Sequence, residues 1–122
     1  MPNAPLPPGD QFGATVDVEQ RGPAVVLRVA GELDLATTPV LSRACTTALR
    51  SAPPVLVIDL SGVTFLASVG MSVIVATHDA GGEHTSVRVV SGSRQTMRPI
   101  QVTGLDSLLS IYPDLPSALG DD

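Results

Sequence analysis

The chain has 122 residues, enough for one hydrophobic core and too few for two, and with 43% hydrophobic but only 2% aromatic residues that core must be built from Val, Leu, Ile and Ala. Seven Lys plus Arg against twelve Asp plus Glu leave a formal charge of -5, which excludes the basic footprint by which proteins hold phosphate backbones, so nucleic acid is not an expected partner. No apolar run reaches the roughly 18 residues of a membrane span, and the opening "MPNAPLPPGD" has neither the basic start nor the apolar stretch of a signal peptide, so no membrane partner is expected and the compartment is the cytoplasm.

Residues 1 to 10 hold four prolines and a glycine, a composition that supports neither a ladder nor a helix, and they are expected to form a disordered N-terminal arm ahead of a single domain over 11 to 120. "ATVDVEQ" alternates as a half-buried strand, and "GPAVVLRVAG" gives a second one after the turn signal Arg21-Gly22-Pro23, so the two are expected to pair as a hairpin. "ATTPVLSRACTTALRS" reads as a helix with Thr38 as N-cap and Pro39 at the first helical position, where a missing N-H costs nothing. Val40, Leu41, Ala44, Cys45, Ala48 and Leu49 recur at helical spacing, which puts Cys45, the only cysteine, on the apolar face. The simpler role for that thiol is a small core side chain; a redox switch is the alternative.

"VLVIDL" at 55 to 60 is a continuous apolar run of the kind covered on both faces, and belongs in mid-sheet. "SGVTFLAS" then reads as a loop, and "VGMSVIVATHDAGG" as a helix ended by Gly81-Gly82, although Val73, Ile74 and Val75 keep a strand in play. "SVRVVS" is the next strand. "SRQTMRPIQVTG" is a helix from Ser93 to Thr103 in which Pro99 must make a kink or mark a late start. "SLLSIY" supplies a last short strand and "DLPSALG" a final helical turn or two capped by Asp114. An opening hairpin followed by alternating helices and strands predicts an α/β fold, a mixed sheet with helices packed on it.

Ser68, set with Gly70 into the apolar run "TFLASVGMSVIVA", is the residue to explain. Strand, loop, serine and helix together suggest the G-x-S-x-G elbow of hydrolases, but Leu66 occupies the first glycine position and neither His78 nor His84 is placed as a base, so an enzyme is not expected. The spacing of those histidines with Asp79 and Glu83 fits no strong ligand pattern, so no metal site is expected, and with no Walker or G-x-G-x-x-G loop no nucleotide cofactor is either. What remains for Ser68 is a helix start, where N-H groups point outward and the dipole favours negative charge: an N-cap, or a hydroxyl open to modification.

Three segments together, "GELDLAT" at 31 to 37, "VLVIDLSGVTFLASVGMSVIV" at 55 to 75 and "RPIQVTGLDSLLSIYPDLPSAL" at 98 to 119, resemble the STAS domain, specifically the bacterial anti-sigma factor antagonists, or anti-anti-sigma factors. The resemblance implies a mixed sheet of four to five strands with helices mainly on one face. It implies a partner switch in transcription regulation: the unmodified antagonist binds an anti-sigma factor, which releases its sigma factor. That anti-sigma factor has a histidine-kinase-like ATPase fold and acts as a serine kinase on the antagonist, and a serine phosphatase restores it. By the match of "VTFLASVGM" the phosphorylated serine falls on Ser68, a substrate residue and not a catalyst, with Val69 in place of the family's second serine and Ala67 in place of its aspartate. The partner surface falls on Glu32 and Asp34 of the "GELD" segment and on Ala67, Ser68, Val69, Gly70 and Met71. For Asp34, a turn or cap carboxylate ahead of the helix at 39 is the equal alternative. Ala67 supports a second reading of the whole chain, a constitutive interaction or scaffold module, such as a transport-complex subunit, in which Ser68 is only a cap.

Overall fold

The computed structural model describes residues 13–120, so the expected arm at 1 to 10 lies outside the described residues. Strands β1 (Ala14–Arg21) and β2 (Ala24–Leu33) form the expected antiparallel hairpin, with Arg21 opposite Ala24 across the Gly22-Pro23 turn. From there β2, β3 (Val55–Leu66), β4 (Ser86–Val90) and β5 (Ser110–Tyr112) run parallel to one another, in the order β1-β2-β3-β4-β5. Helices α1 (Thr38–Arg50), α2 (Ser68–Gly81) and α3 (Arg94–Val102) carry the crossovers, a 3-10 turn at Leu105–Ser107 leads into β5, and α4 (Leu115–Leu119) ends the described chain.

The pleat sorts the side chains. Leu27, Val29, Leu56, Ile58, Leu60, Val87 and Val89 point to one face and pack against Leu41 and Cys45 of α1, Met71 and Ile74 of α2 and Ile100 of α3. The opposite face carries a smaller cluster of Val26, Val57 and Val90, covered by Ala118, Leu115 and Leu119 of α4. The result is a mixed sheet with three of the four described helices on one side, as expected. Cys45 is 2% exposed, at the position its helical spacing predicts, and burial pushes its thiol pKa up against a smaller opposing effect of a hydrogen bond with Thr77.

Three expectations are corrected. The helix at 38 begins one residue earlier than read: Thr37 is the N-cap, Thr38 the first helical residue, and Pro39 follows it. The Thr37 hydroxyl makes no capping bond because it is spent on the Glu32 carbonyl at 2.6 Å. The stretch from Ser61 to Leu66, read as a loop, continues β3 to twice the length of "VLVIDL". β3 twice carries one residue more than β2, between Asp59 and Gly62 and between Val63 and Phe65, so the strand bulges where its alternation breaks. At the first bulge the Ser61 amide and hydroxyl both donate to Asp59 Oδ1, at 2.9 and 2.6 Å, so the "DLSG" polar signature is an internal bond within a strand. Third, of the two roles read for Pro99 the late start is excluded: it sits inside α3, and Thr103 closes the last turn by donating its amide to the Pro99 carbonyl at 3.2 Å.

Candidate functional site

The bulged extension of β3 carries the chain past the end of β4 and delivers it to the start of α2 beside the end of β2. There the Ala67 amide donates to the Leu33 carbonyl at 2.9 Å, which binds the last residue before α2 to the "GELD" segment. The glycine three residues on makes that approach possible. A Cβ on Gly70 would lie 3.0 Å from Leu66 Cδ1 and 3.2 Å from Leu33 Cβ, so only a residue without one lets α2 settle onto the two leucines. Gly31 has the same role behind it: its φ is +96°, and a Cβ there would run into the Gly13 carbonyl.

Ser68 is the first residue of α2 and not its N-cap, which removes one of the two roles that the sequence left open. The N-cap is Ala67, in extended conformation (φ -80°, ψ 165°), and it has no side-chain oxygen to offer. The Gly70 and Met71 amides bond back to the Ala67 carbonyl at 3.0 and 3.2 Å, while those of Ser68 and Val69 lie in the first turn, where a helix has no partners of its own. No acidic residue stands in that turn. The Ser68 side chain is exposed, and no hydrogen bond occupies its hydroxyl among the described residues. An accessible hydroxyl on an uncapped, partly positive helix end is what this arrangement offers.

The facing loop is built on Asp34. Its Oδ1 accepts from the amides of Ala36 at 3.0 Å and Thr37 at 3.1 Å, and these donors, with the Thr37 hydroxyl beside them, hold the carboxyl below its usual range. The turn role weighed for Asp34 in the sequence is therefore present. Thr37, buried and bonded both to the Glu32 carbonyl and to the Asp34 amide, is the hub that sequence reading missed; the signal available was a second threonine directly before the one chosen as cap.

The structure thus brings the two predicted segments together. Glu32 and Ser68 are exposed, Asp34, Ala67 and Val69 are half-buried, and Gly70 and Met71 are buried. Two large apolar side chains that composition alone did not single out also stand at this end: Leu35 is 80% exposed and Phe65, opposite Glu32 in the β2–β3 register, is 51% exposed. His78 lies near the far end of α2 with Nδ1 3.5 Å from Asp79 Oδ1, and His84 is exposed in the following loop. Among the described residues no group of three or more His, Cys, Asp or Glu side chains is placed to hold a metal ion, and no helix is long and apolar enough to cross a membrane.

Comparison with known proteins agrees with this architecture. The anti-sigma-F factor antagonist RsfB of Mycobacterium tuberculosis is 38% identical over 105 residues, 86% of each chain. The crystal structure of an anti-sigma factor antagonist from Mycobacterium paratuberculosis superposes with a TM-score of 0.85 at 42% identity, over 88% of this chain and 92% of that one. An anti-sigma-factor antagonist (STAS) domain protein from Planctomyces limnophilus, at 20% identity and a TM-score of 0.74 over 88% and 97% of the chains, shares the fold. The family model for the STAS domain matches residues 15–118, nearly the whole described chain, and with these likenesses it shows that the chain belongs to the STAS domain family.

Proposed function

We propose that this chain is an anti-sigma factor antagonist switched by phosphorylation of Ser68: unmodified, it binds an anti-sigma factor of the histidine-kinase-like ATPase fold and frees a sigma factor, and phosphorylated, it lets go. The observation that carries the reading is the free Ser68 hydroxyl on the first residue of α2, next to the Asp34 loop. The names of the two mycobacterial relatives support the antagonist function. In this reading Glu32, Asp34, Ala67, Ser68 and Val69 form the partner surface, while Gly70 and Met71 act from beneath by seating the helix.

The physical chemistry of the switch follows from the helix end. A phosphate adds about -1.5 to -2 charges. At the first residue of a helix with open N-H groups and no acid in its first turn, that charge is compatible with the fold, so modification does not unfold α2. The effect falls on the interface. A surface fitted to a neutral hydroxyl must desolvate the phosphate and loses the hydrogen bonds it made, which costs affinity without any change of fold. A serine phosphatase then resets the site.

One observation favours the second reading, a constitutive interaction or scaffold module: Ala67 stands where the resembling family has an aspartate. Phosphopeptide mapping separates the two. The purified chain is incubated with ATP and, in turn, with each histidine-kinase-like anti-sigma factor of its own genome. Phosphate on Ser68 with one of them is the expected result; tight binding to one without phosphate makes the chain a constitutive antagonist, and neither binding nor phosphate leaves the scaffold role.

A further inference from the structure

The groove that begins at Ser68 runs the length of α2. It has a volume of about 420 Å³; Met71, Val75 and Ala76 form one wall, Thr103 and Leu105 the other, with Ser68 at its upper end and Asp79 at its lower. Positions 68, 71, 75, 76 and 79 lie on a single stripe of the helix, as spacings of three and four require. One stripe of α2 enters the core through Gly70, Met71 and Ile74; the groove stripe beside it shares the buried Met71 and the half-buried Val75 with that core and leaves Ser68, Ser72, Ala76 and Asp79 exposed.

Of the hydroxyls at its edges, those of Ser72 and Thr103 are already satisfied. The Ser72 hydroxyl donates to the Ser68 carbonyl at 3.1 Å, and the Thr103 hydroxyl lies 2.8 Å from the Pro99 carbonyl, 3.0 Å from that of Ile100 and 3.8 Å from the Met71 sulfur. A groove with two of its three hydroxyls used internally, and with methionine, valine, alanine and leucine between them, calls for an apolar occupant and not a polar small molecule. The two ends differ in sign. The upper end is the open, partly positive start of α2, and the lower end is the exposed Asp79 carboxylate, with the His78 ring nitrogen Nδ1 3.5 Å from it.

We infer that this groove is the seat of an amphipathic helix of the anti-sigma factor, lying antiparallel to α2 with its carbonyl end at Ser68 and a basic side chain at Asp79. The inference rests on the partner reading above and extends it to a surface. The eleven helical rises of α2 from Ser68 to Asp79 span roughly 16 Å, room for about three turns of a docked helix presenting apolar residues at i, i+3, i+4 and i+7. Charge complementarity sets the direction, because the negative end of the partner helix then meets the positive end of α2 and its cation meets the carboxylate. The same direction ties the groove to the switch: a phosphate on Ser68 would face the carbonyl end of the docked helix, like charge against like.

The test is calorimetric titration of the full chain against the anti-sigma factors of its own genome, with three variants. Ala76→Arg fills the groove from an exposed helical position, Asp79→Lys reverses its lower end, and Ala76→Ser leaves shape and charge nearly unchanged. Unaltered thermal melting confirms that each variant is folded. The expected result is that Ala76→Arg and Asp79→Lys each weaken binding by about tenfold or more while Ala76→Ser binds as the parent does. If the parent binds and Ala76→Arg binds equally well, the groove is not the seat although the antagonist reading stands. If the parent binds none of them, that reading fails and the groove proposal with it. Sedimentation equilibrium adds one more outcome: a parent dimer converted to monomer by Ala76→Arg would make a second copy of this chain the occupant and overturn the proposal.

Discussion

The Ala67 amide and the Leu33 carbonyl, 2.9 Å apart, join the end of β3 to the end of β2 at the point where α2 begins. Because the Ser68 backbone follows that amide directly, the position of its hydroxyl is set by the sheet and not by a flexible loop. The same bond places the Asp34 turn beside it. Whatever touches Ser68 also meets a surface held by backbone hydrogen bonds, which lowers the ordering cost of recognition.

Gly70→Ala tests the close approach. Alanine would improve helix propensity by about 1 kcal/mol, but its methyl group meets Leu33 Cβ at 3.2 Å, an atom fixed close to the backbone of β2. Overpacking of this kind costs about 1 to 3 kcal/mol, so the net expectation is destabilisation by about 1 kcal/mol, read as a lower midpoint in urea with an unchanged slope.

Ala67→Asp supplies the missing cap. The residue already has the extended conformation of an N-cap, so a carboxylate there can accept from the open first turn of α2. Stability should rise by about 1 kcal/mol, measured as an increase in Tm. A fall would mean that another group already serves those amides.

Acid should loosen the Asp34 turn. The amide of Thr37, its hydroxyl and the amide of Ala36 favour the charged carboxylate and depress its pKa below 3.8, so the stabilisation is complete above that value and is lost as pH falls through the lower folded one. Denaturation midpoints between about pH 6 and pH 2 should show this loss. Asp34→Asn, which keeps an accepting oxygen, should remove the pH dependence at a smaller cost in stability than Asp34→Ala.

Ser68→Ala should bind the anti-sigma factor as the parent does and take up no phosphate, whereas Ser68→Asp should bind about tenfold or more weakly. Both read the interface and not the fold, since Ser68 is exposed, and their melting curves should match the parent's within a few degrees. Equal binding by Ser68→Asp in calorimetry would count against a charge-driven switch.

Cys45 should behave as a core residue. Burial raises its thiol pKa and it is 2% exposed, so alkylation of the native chain at about pH 8 should be far slower than of the denatured chain. Reaction at comparable rates would return the redox alternative.

Much of this was legible in the order of residues. The hairpin at Gly22-Pro23, the central strand "VLVIDL", the helical face of Cys45 and the Asp114 cap, which accepts from the Ser117 amide at 2.9 Å, all follow from local rules: turn residues, period, burial and capping chemistry act over a few positions and leave their mark in the chain itself. The family resemblance pointed to Ser68 for the same reason, since its motif is contiguous. What the tertiary structure decided was the part that depends on a neighbour distant in sequence. The polar bulges of "DLSGVTF" continue as strand because β2 supplies partners for Gly62, Val63 and Phe65. Ser68 is a helical residue rather than a cap because the Leu33 carbonyl, thirty-four positions back, holds Ala67 in place before it. Local periodicity cannot encode a hydrogen bond between strands thirty residues apart; it can only leave, as at Gly31 and Gly70, the space in which that bond forms.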